Sequence, residues 1–237
     1  MTQLAAPGHR SDGQSRPWLA VIDMQRVFGE PDSDWFAPRF AEILGPVRRL
    51  AEAFRPRVTF TRFIAPRAPA GAWRQYYRQW PFALQPPGAR IYELVEEFAG
   101  QPGPTLDAAT FSKWGPELAG LIGDGDDGDG GGGPGQLVLA GVSTDCCVLS
   151  TALAAADAGV AVQVVADACA GATDESHHQA LDIMRLYEPL IKVVSLADIL
   201  GGSAGADEAD KADGIDMADE GSETRVVHDD GGPNEVP

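Results

Sequence analysis

The stretch QLVLAGVSTDCCVLSTALAAADAG, Gln136–Gly159, decides how this chain folds. Its first six residues, QLVLAG, form a nearly continuous apolar run, the pattern of a strand covered on both faces of a parallel sheet. From Cys146 to Ala158 the pattern becomes helical. GVSTDCCV therefore lies at the carboxyl end of a strand and the start of a helix, where α/β folds place their ligands. It also holds two of the three cysteines in the chain.

The same alternation extends outward in both directions. WLAVID (Trp18–Asp23), RVTFTRF (Arg57–Phe63), VAVQVVAD (Val160–Asp167) and IKVVS (Ile191–Ser195) read as further strands, with PTLDAATF (Pro104–Phe111) a weaker sixth. Helical patterns cover Ala37–Phe54, Tyr92–Ala99 and Asp174–Tyr187. Strand alternating with helix predicts an α/β fold: a Rossmann-like, three-layer αβα sandwich around a roughly six-stranded parallel sheet with right-handed crossovers.

At 237 residues the chain suits one substantial domain, and 44% hydrophobic content fits a soluble globular protein. No apolar run approaches the roughly 18 residues that span a bilayer, so no membrane partner is expected. The N-terminus lacks the charged-then-apolar order of a secretory signal, and three cysteines argue against a disulfide framework. A reducing cytoplasm is the expected compartment. The net charge of −17 is concentrated outside the body of the chain. Residues 201–237 carry eleven Asp/Glu against Lys211 and Arg225, a net of −9, and the insert GDGDDGDGGGGPG (residues 123–135) adds four aspartates. Nucleic acid, whose binding rests on basic contacts to phosphate, is not an expected partner. Residues 1–16 and 201–237 are too polar to offset an ordering entropy of about 1–2 kcal/mol per residue and are expected to be disordered. The insert lacks the ligand spacing of a calcium loop and reads as a flexible surface loop.

Three readings of Cys146 and Cys147 compete: a redox pair, two buried apolar side chains, or a nucleophile with a passive neighbour. Adjacent Cα atoms lie about 3.8 Å apart, below the roughly 4.4–6.8 Å of ordinary disulfides, which tells against the redox pair. Burial suits a free cysteine. A thiol in a helix's first turn, with Thr144 or Asp145 as N-cap, meets unpaired N–H groups and the positive end of the helix dipole, which favour thiolate. Periodicity does not separate the two cysteines. Taken alone, Asp23 reads as a turn-capping carboxylate at a strand end, and Lys113 as a solvated charge.

GVSTDCCVLSTALAAADAG resembles the nucleophile segment of the isochorismatase-like cysteine hydrolases, in which G-V-x-T-D-x-C-V precedes a small-residue helix. VIDMQRVF is similar to that family's V-x-D-M-Q at the end of the first strand, and FSKWG to its lysine segment ahead of the nucleophile strand. The resemblance runs from about Pro17 to Leu200 and includes DACAGATDESHHQAL. It implies an isochorismatase-like hydrolase domain over residues 17–200 and a catalytic triad of Asp23, Lys113 and Cys147. Cys146 then occupies the variable position and packs. The resemblance further implies a cis peptide between Val142 and Ser143, with the Ser143 and Cys147 N–H groups as an oxyanion hole. His177, where the family often has histidine, is read as a structural contact.

Relatives that hydrolyse nicotinamide hold a metal with an Asp and histidines after the first two strands. Here TRFIAPRAPAGAWRQYYRQW has none, and no histidine lies between His9 and His177, so neither a metal nor another cofactor is expected. Isochorismatases proper cleave a vinyl ether and lack the cysteine. The resemblance thus implies metal-free hydrolysis of a C–N bond in a small amide or a carbamoyl or ureido compound, through a cysteine thioester. GAWRQYYRQWPF offers arginine for a carboxylate and rings for a pocket wall, or equally a subunit interface. Phe28, Arg62, Trp73, Tyr76 and Trp114 are the candidate contacts to a small-molecule substrate, and a homo-oligomer, dimer or tetramer, is expected. Two alternatives stay open: hydrolysis of another bond, ester or vinyl ether, and an idle oligomeric binding module.

Overall fold

A computed structural model describes residues 16–101, 103–123 and 135–201. The disorder expected at both termini and in the Asp/Gly insert falls outside these residues, apart from bordering positions. Six strands are present: β1 (Trp18–Ile22), β2 (Val58–Phe63), β3 (Thr105–Ala108), β4 (Gln136–Val142), β5 (Ala161–Ala170) and β6 (Ile191–Val194). They form one all-parallel sheet in the order β3-β2-β1-β4-β5-β6. The helices are α1 (Arg26–Gly29), α2 (Phe40–Ala53), α3 (Trp73–Gln79), α4 (Pro116–Gly123), α5 (Leu149–Asp157), α6 (Asp174–Arg185) and α7 (Leu196–Gly201).

Strand alternation sorts the core into two layers. Leu19 and Val21 of β1 join Val138 and Ala140 of β4 beneath α2 and α7. Ala20, Ile22, Leu137 and Leu139 face the opposite side, where α4, α5 and α6 pack. On α2 the apolar positions Phe40, Ile43, Val47 and Leu50 recur at helical spacing, and all four are buried. Each such burial is worth about 1.5–3 kcal/mol. A capping box closes the start of α6: the Thr173 hydroxyl accepts from the Ser176 N–H at 3.0 Å, and the Ser176 hydroxyl accepts from the Thr173 N–H at 3.1 Å.

The chain winds outward from β1 to β3 in its first half and from β4 to β6 in its second. The loops after β1 and β4 therefore diverge to opposite faces and leave a crevice at the carboxyl rim. Gly141 lets the two central strands close up there. Its φ is +113°, and a Cβ at that position would sit 2.1 Å from the Ile22 carbonyl oxygen. No other residue type fits. β5 carries an irregularity beside it: the step from Leu139 to Gly141 on β4 spans Val164 to Cys169 on β5.

Several expected elements differ. The helix predicted over Tyr92–Ala99 is instead two 3₁₀ turns, Arg90–Tyr92 and Glu96–Phe98, joined by extended backbone. The reason is competition for its backbone groups: Glu93 O accepts from the Arg26 N–H and the Val95 N–H donates to Met24 O, at 2.9 and 3.0 Å. The weak strand candidate over Pro104–Phe111 contracts to the edge strand β3. Helices α1, α3, α4 and α7 lie where no helix was expected, and Gly123 and Gly201, assigned to the flanking polar segments, close α4 and α7. No helix among the described residues is long and apolar enough to cross a membrane.

Candidate active site

Asp23 follows β1 directly and is completely buried. Its φ is +48°, a left-handed conformation that aspartate tolerates better than most residues. Thr61 on β2 holds it there from two sides. The Thr61 Oγ1 accepts from the Asp23 N–H at 3.2 Å and donates to Asp23 Oδ1 at 2.7 Å. Gln25 anchors the same loop. Its side-chain amide donates to the Phe63 and Tyr92 carbonyls, at 3.0 and 2.7 Å, and its Oε1 accepts from the Phe63 N–H at 2.7 Å.

Asp23 Oδ2 lies 3.0 Å from Lys113 Nζ, with both side chains enclosed. The two groups form an enclosed ion pair. Lys113 Nζ also donates to the Thr110 carbonyl at 2.9 Å and stands 5.2 Å over the Phe63 ring. Lys113 follows the edge strand β3, which lies three strand spacings, about 14 Å, from β4. Its backbone is drawn back across the rim by Thr151 of α5, whose hydroxyl accepts from the Lys113 N–H at 2.8 Å.

The segment that carries Cys146 and Cys147 is not a plain helix start. Val142–Ser143 is a cis peptide, and Thr144–Val148 forms a π-helical turn ahead of α5. The Ser143 carbonyl accepts from the N–H groups of Cys146 and Val148, at 3.0 and 3.1 Å, and passes over that of Cys147. Neither Thr144 nor Asp145 caps the helix as expected. Both side chains are taken by the β5–α6 loop and α6: Thr144 Oγ1 shares a 2.8 Å hydrogen bond with His177 Nδ1, and Asp145 Oδ1 accepts from the Ala172 N–H at 2.9 Å. All three cysteines are free thiols; Cys147 and Cys169 are buried and Cys146 is half-buried.

Burial and the neighbouring charges shift the lysine and both thiols. Burial works against the Lys113 ammonium, but Asp23 beside it, and then Cys147, hold its pKa above the ordinary 10.5. At Cys147 a hydrogen bond with Cys146, burial and the Asp23 charge push the thiol up, with Lys113 acting the other way. Cys146 moves down, chiefly through that same hydrogen bond. A thiolate at Cys147, expected from its place at a helix start, is thus not its resting form: enclosure and an adjacent carboxylate outweigh the helix dipole. His177 is shifted below 6.5, first by burial, and is neutral at pH 7.

An aromatic wall adjoins the ammonium. Trp35 stacks on Phe28 at 6.0 Å and meets Phe63 edge-on at 5.7 Å. Tyr76 stands 6.0 Å from Trp35 and 5.3 Å from Trp73, and both Trp73 and Tyr76 touch Phe111, two residues before Lys113. The Tyr76 hydroxyl is pushed up to about 12 by burial and by Cys146 and Cys147, which places it within electrostatic reach of both sulfurs. Phe28, Trp73 and Tyr76 therefore belong to one aromatic cluster that reaches the Lys113 ammonium through Phe63. Arg62 does not. It lies opposite Asp107 in the β2–β3 register and grips it with two 2.8 Å hydrogen bonds, so it is not available to a substrate carboxylate. Trp114 packs in the other core layer and borders a hollow of about 380 Å³ along Leu106–Leu118, whose lining includes neither Asp23 nor Cys147. Sequence reasoning missed Thr61, Thr151, Trp35 and Phe111; the two threonines had read simply as parts of an apolar strand and a small-residue helix. Among the described residues, no three His, Cys, Asp or Glu side chains gather as a metal-binding group.

Comparison with known proteins bears on the fold and the family. No curated protein sequence matches this one. A cysteine hydrolase from Pseudomonas syringae pv. phaseolicola has a similar structure, with a TM-score of 0.67 at 20% identity over 78% of this chain and 91% of its own. An isochorismatase-like hydrolase from Alkaliphilus metalliredigens gives 0.66 at 21% identity, covering 79% and 99%. N-carbamoylsarcosine amidase from Thermoplasma acidophilum gives 0.59 at 23% identity, covering 76% and 96%. At these identities the likeness speaks for the fold alone. Residues 17–198 match the Isochorismatase domain, a span that takes in all six strands, and on that ground the chain belongs to the isochorismatase-like hydrolase family.

Proposed function

We propose that this protein is a cysteine hydrolase that cleaves the C–N bond of a small amide or a carbamoyl or ureido compound, with Cys147 as nucleophile, Asp23 as proton carrier and Lys113 as the fixed cation. The observation that carries the reading is the enclosed Asp23–Lys113 pair at 3.0 Å, whose charges both act on the Cys147 thiol. A buried ion pair whose charges act on a thiol at a strand-end crevice is the arrangement a cysteine nucleophile with its own proton acceptor requires.

Cys147 Sγ attacks the carbonyl carbon as its proton passes to Asp23, and the carbonyl π electrons move to oxygen. The N–H groups of Ser143 and Cys147 are the donors for that oxyanion. Collapse breaks the C–N bond while Asp23 hands its proton to the departing nitrogen, leaving a thioester. Water then attacks with Asp23 as base; the C–S bond breaks, the proton returns to sulfur, and the acid leaves. Lys113 stays charged throughout and keeps Asp23 oriented. The rings of Phe28, Trp73 and Tyr76 wall the acyl side and keep water out.

The test is ammonia release from nicotinamide, N-carbamoyl amino acids and ureidoacrylate by the full chain. Cys147→Ala should lose at least about a thousandfold in rate, while Cys146→Ala should stay within about tenfold of wild type. Equal release by Cys147→Ala and wild type would reject the mechanism.

A further inference from the structure

The chemistry above needs Lys113 and Cys147 in register, yet they come from opposite halves of the sheet. We propose that Thr151 is the positioning residue that couples them, its hydroxyl clamping the main chain of Lys113 to that of Cys147. The inference rests on the reading of Lys113 and Cys147 as catalytic partners, and Thr151 itself touches neither reacting atom.

Thr151 is fully buried, and its hydroxyl makes two hydrogen bonds: it accepts from the Lys113 N–H at 2.8 Å and donates to the Cys147 carbonyl at 2.6 Å. Neither bond can reverse, because an amide N–H only donates and a carbonyl only accepts. The clamp is therefore directional. Other hydrogen bonds made by the loop around Lys113 are local, such as Thr110 Oγ1 to the Ser112 carbonyl and the Trp114 N–H to Ser112 Oγ. Among the described residues, the Lys113 N–H is the one backbone group of residues 109–115 bonded to the β4–α5 half. The ammonium reaches Asp23 from this tethered backbone. A hydroxyl on a helix can bond the carbonyl four residues back without any partner elsewhere; here the second bond, across 38 residues, converts that local habit into a link between two catalytic segments.

Valine has the shape of threonine without the hydroxyl, and serine keeps the hydroxyl. In Thr151→Val the loop carrying Lys113 loses its tether, so kcat on the amide turned over best should fall about tenfold or more with KM changed less than about threefold. Thr151→Ser should remain within about threefold of wild type. Independently of any substrate, alkylation of Cys147 by iodoacetamide, located by mass spectrometry, should shift to higher pH in Thr151→Val, because Lys113 no longer holds the thiol down. In the wild-type chain the Lys113 amide should exchange slowly with solvent deuterium, a measurement that stands even where the valine variant does not fold. The proposal is overturned by a folded Thr151→Val with unchanged kcat and alkylation profile, by a serine variant that behaves like valine, or by fast exchange at Lys113. Failure of every amide would sink the hydrolytic reading and leave the alkylation and exchange results to decide this one.

Discussion

Replacing Lys113 by methionine, Asp23 by asparagine, and both together tests whether the two buried charges act as a unit. At 3.0 Å the pair gains about 5 kcal/mol of attraction at an effective dielectric constant of about 20, against the cost of taking both ions out of water. Lys113→Met leaves an enclosed carboxylate without its counter-charge and should cost about 3–5 kcal/mol. Asp23→Asn should cost somewhat less, since the ammonium keeps the Thr110 carbonyl and the Phe63 ring. The double variant should be more stable than the sum of the singles implies, with a coupling energy of about 3 kcal/mol. Urea unfolding of the four full-length chains measures this directly. The pKa of Lys113 is raised in the folded state, so its contribution is complete below the unfolded value near 10.5 and is lost as pH climbs through the higher folded one. The coupling should therefore be the same at pH 7 and pH 9. Additivity within about 0.5 kcal/mol at either pH would mean the charges do not form the unit proposed.

Two further outcomes follow from the same charges. Iodoacetamide should label Cys147 faster at a fixed pH in Asp23→Asn and more slowly in Lys113→Met, since Asp23 pushes the thiol up and Lys113 pulls it down; shifts in the same direction for both variants would contradict this. His177 is depressed in the folded state, so the unfolded chain binds its proton first, and folding stability should decline as pH falls from 6.5 through the lowered folded pKa. His177→Gln should lose that part of the slope between pH 7.5 and 5.5 in urea titrations, and an unchanged slope would refute it.

Strands proved more legible in this sequence than the atoms that join them. Five of the six strands appear as apolar runs because a sheet covered on both faces demands them, and Asp23 and the Cys146–Cys147 pair were marked by lying at strand ends, though only family resemblance chose Cys147 of the two. Lys113 was legible only through family resemblance: it comes from an irregular loop off the edge strand, and nothing in its neighbours records that it crosses back. Arg62 misled for a related reason. Its partner Asp107 becomes visible only once the β2–β3 register is known, because cross-strand pairing is a property of two segments. The π turn at Thr144–Val148 leaves no trace in a 3.6-residue pattern, and Tyr92–Ala99 has a helical pattern whose backbone groups bond to the loop after β1 instead. Thr61 and Thr151 look like β-branched filling; their importance lies in where a hydroxyl proton points, which no periodicity encodes.

The resting charge state bears on how the proposed site works. Asp23, Lys113 and Cys147 are almost wholly enclosed, at 0%, 5% and 4% exposure. A carboxylate, an ammonium and a neutral thiol sum to zero; a preformed thiolate would leave a net negative charge in a place with little water to screen it. In the proposed reaction that balance never breaks. As sulfur bonds to carbon its proton neutralises Asp23, and the single negative charge moves to the oxyanion. Each later step exchanges the same charge between oxygen and carboxylate. The raised thiol pKa, which at first looks like a defect in a nucleophile, is then what a sealed site requires: the carboxylate already acts on the thiol it is proposed to deprotonate, and transfer waits for the carbonyl that gives the charge somewhere to go.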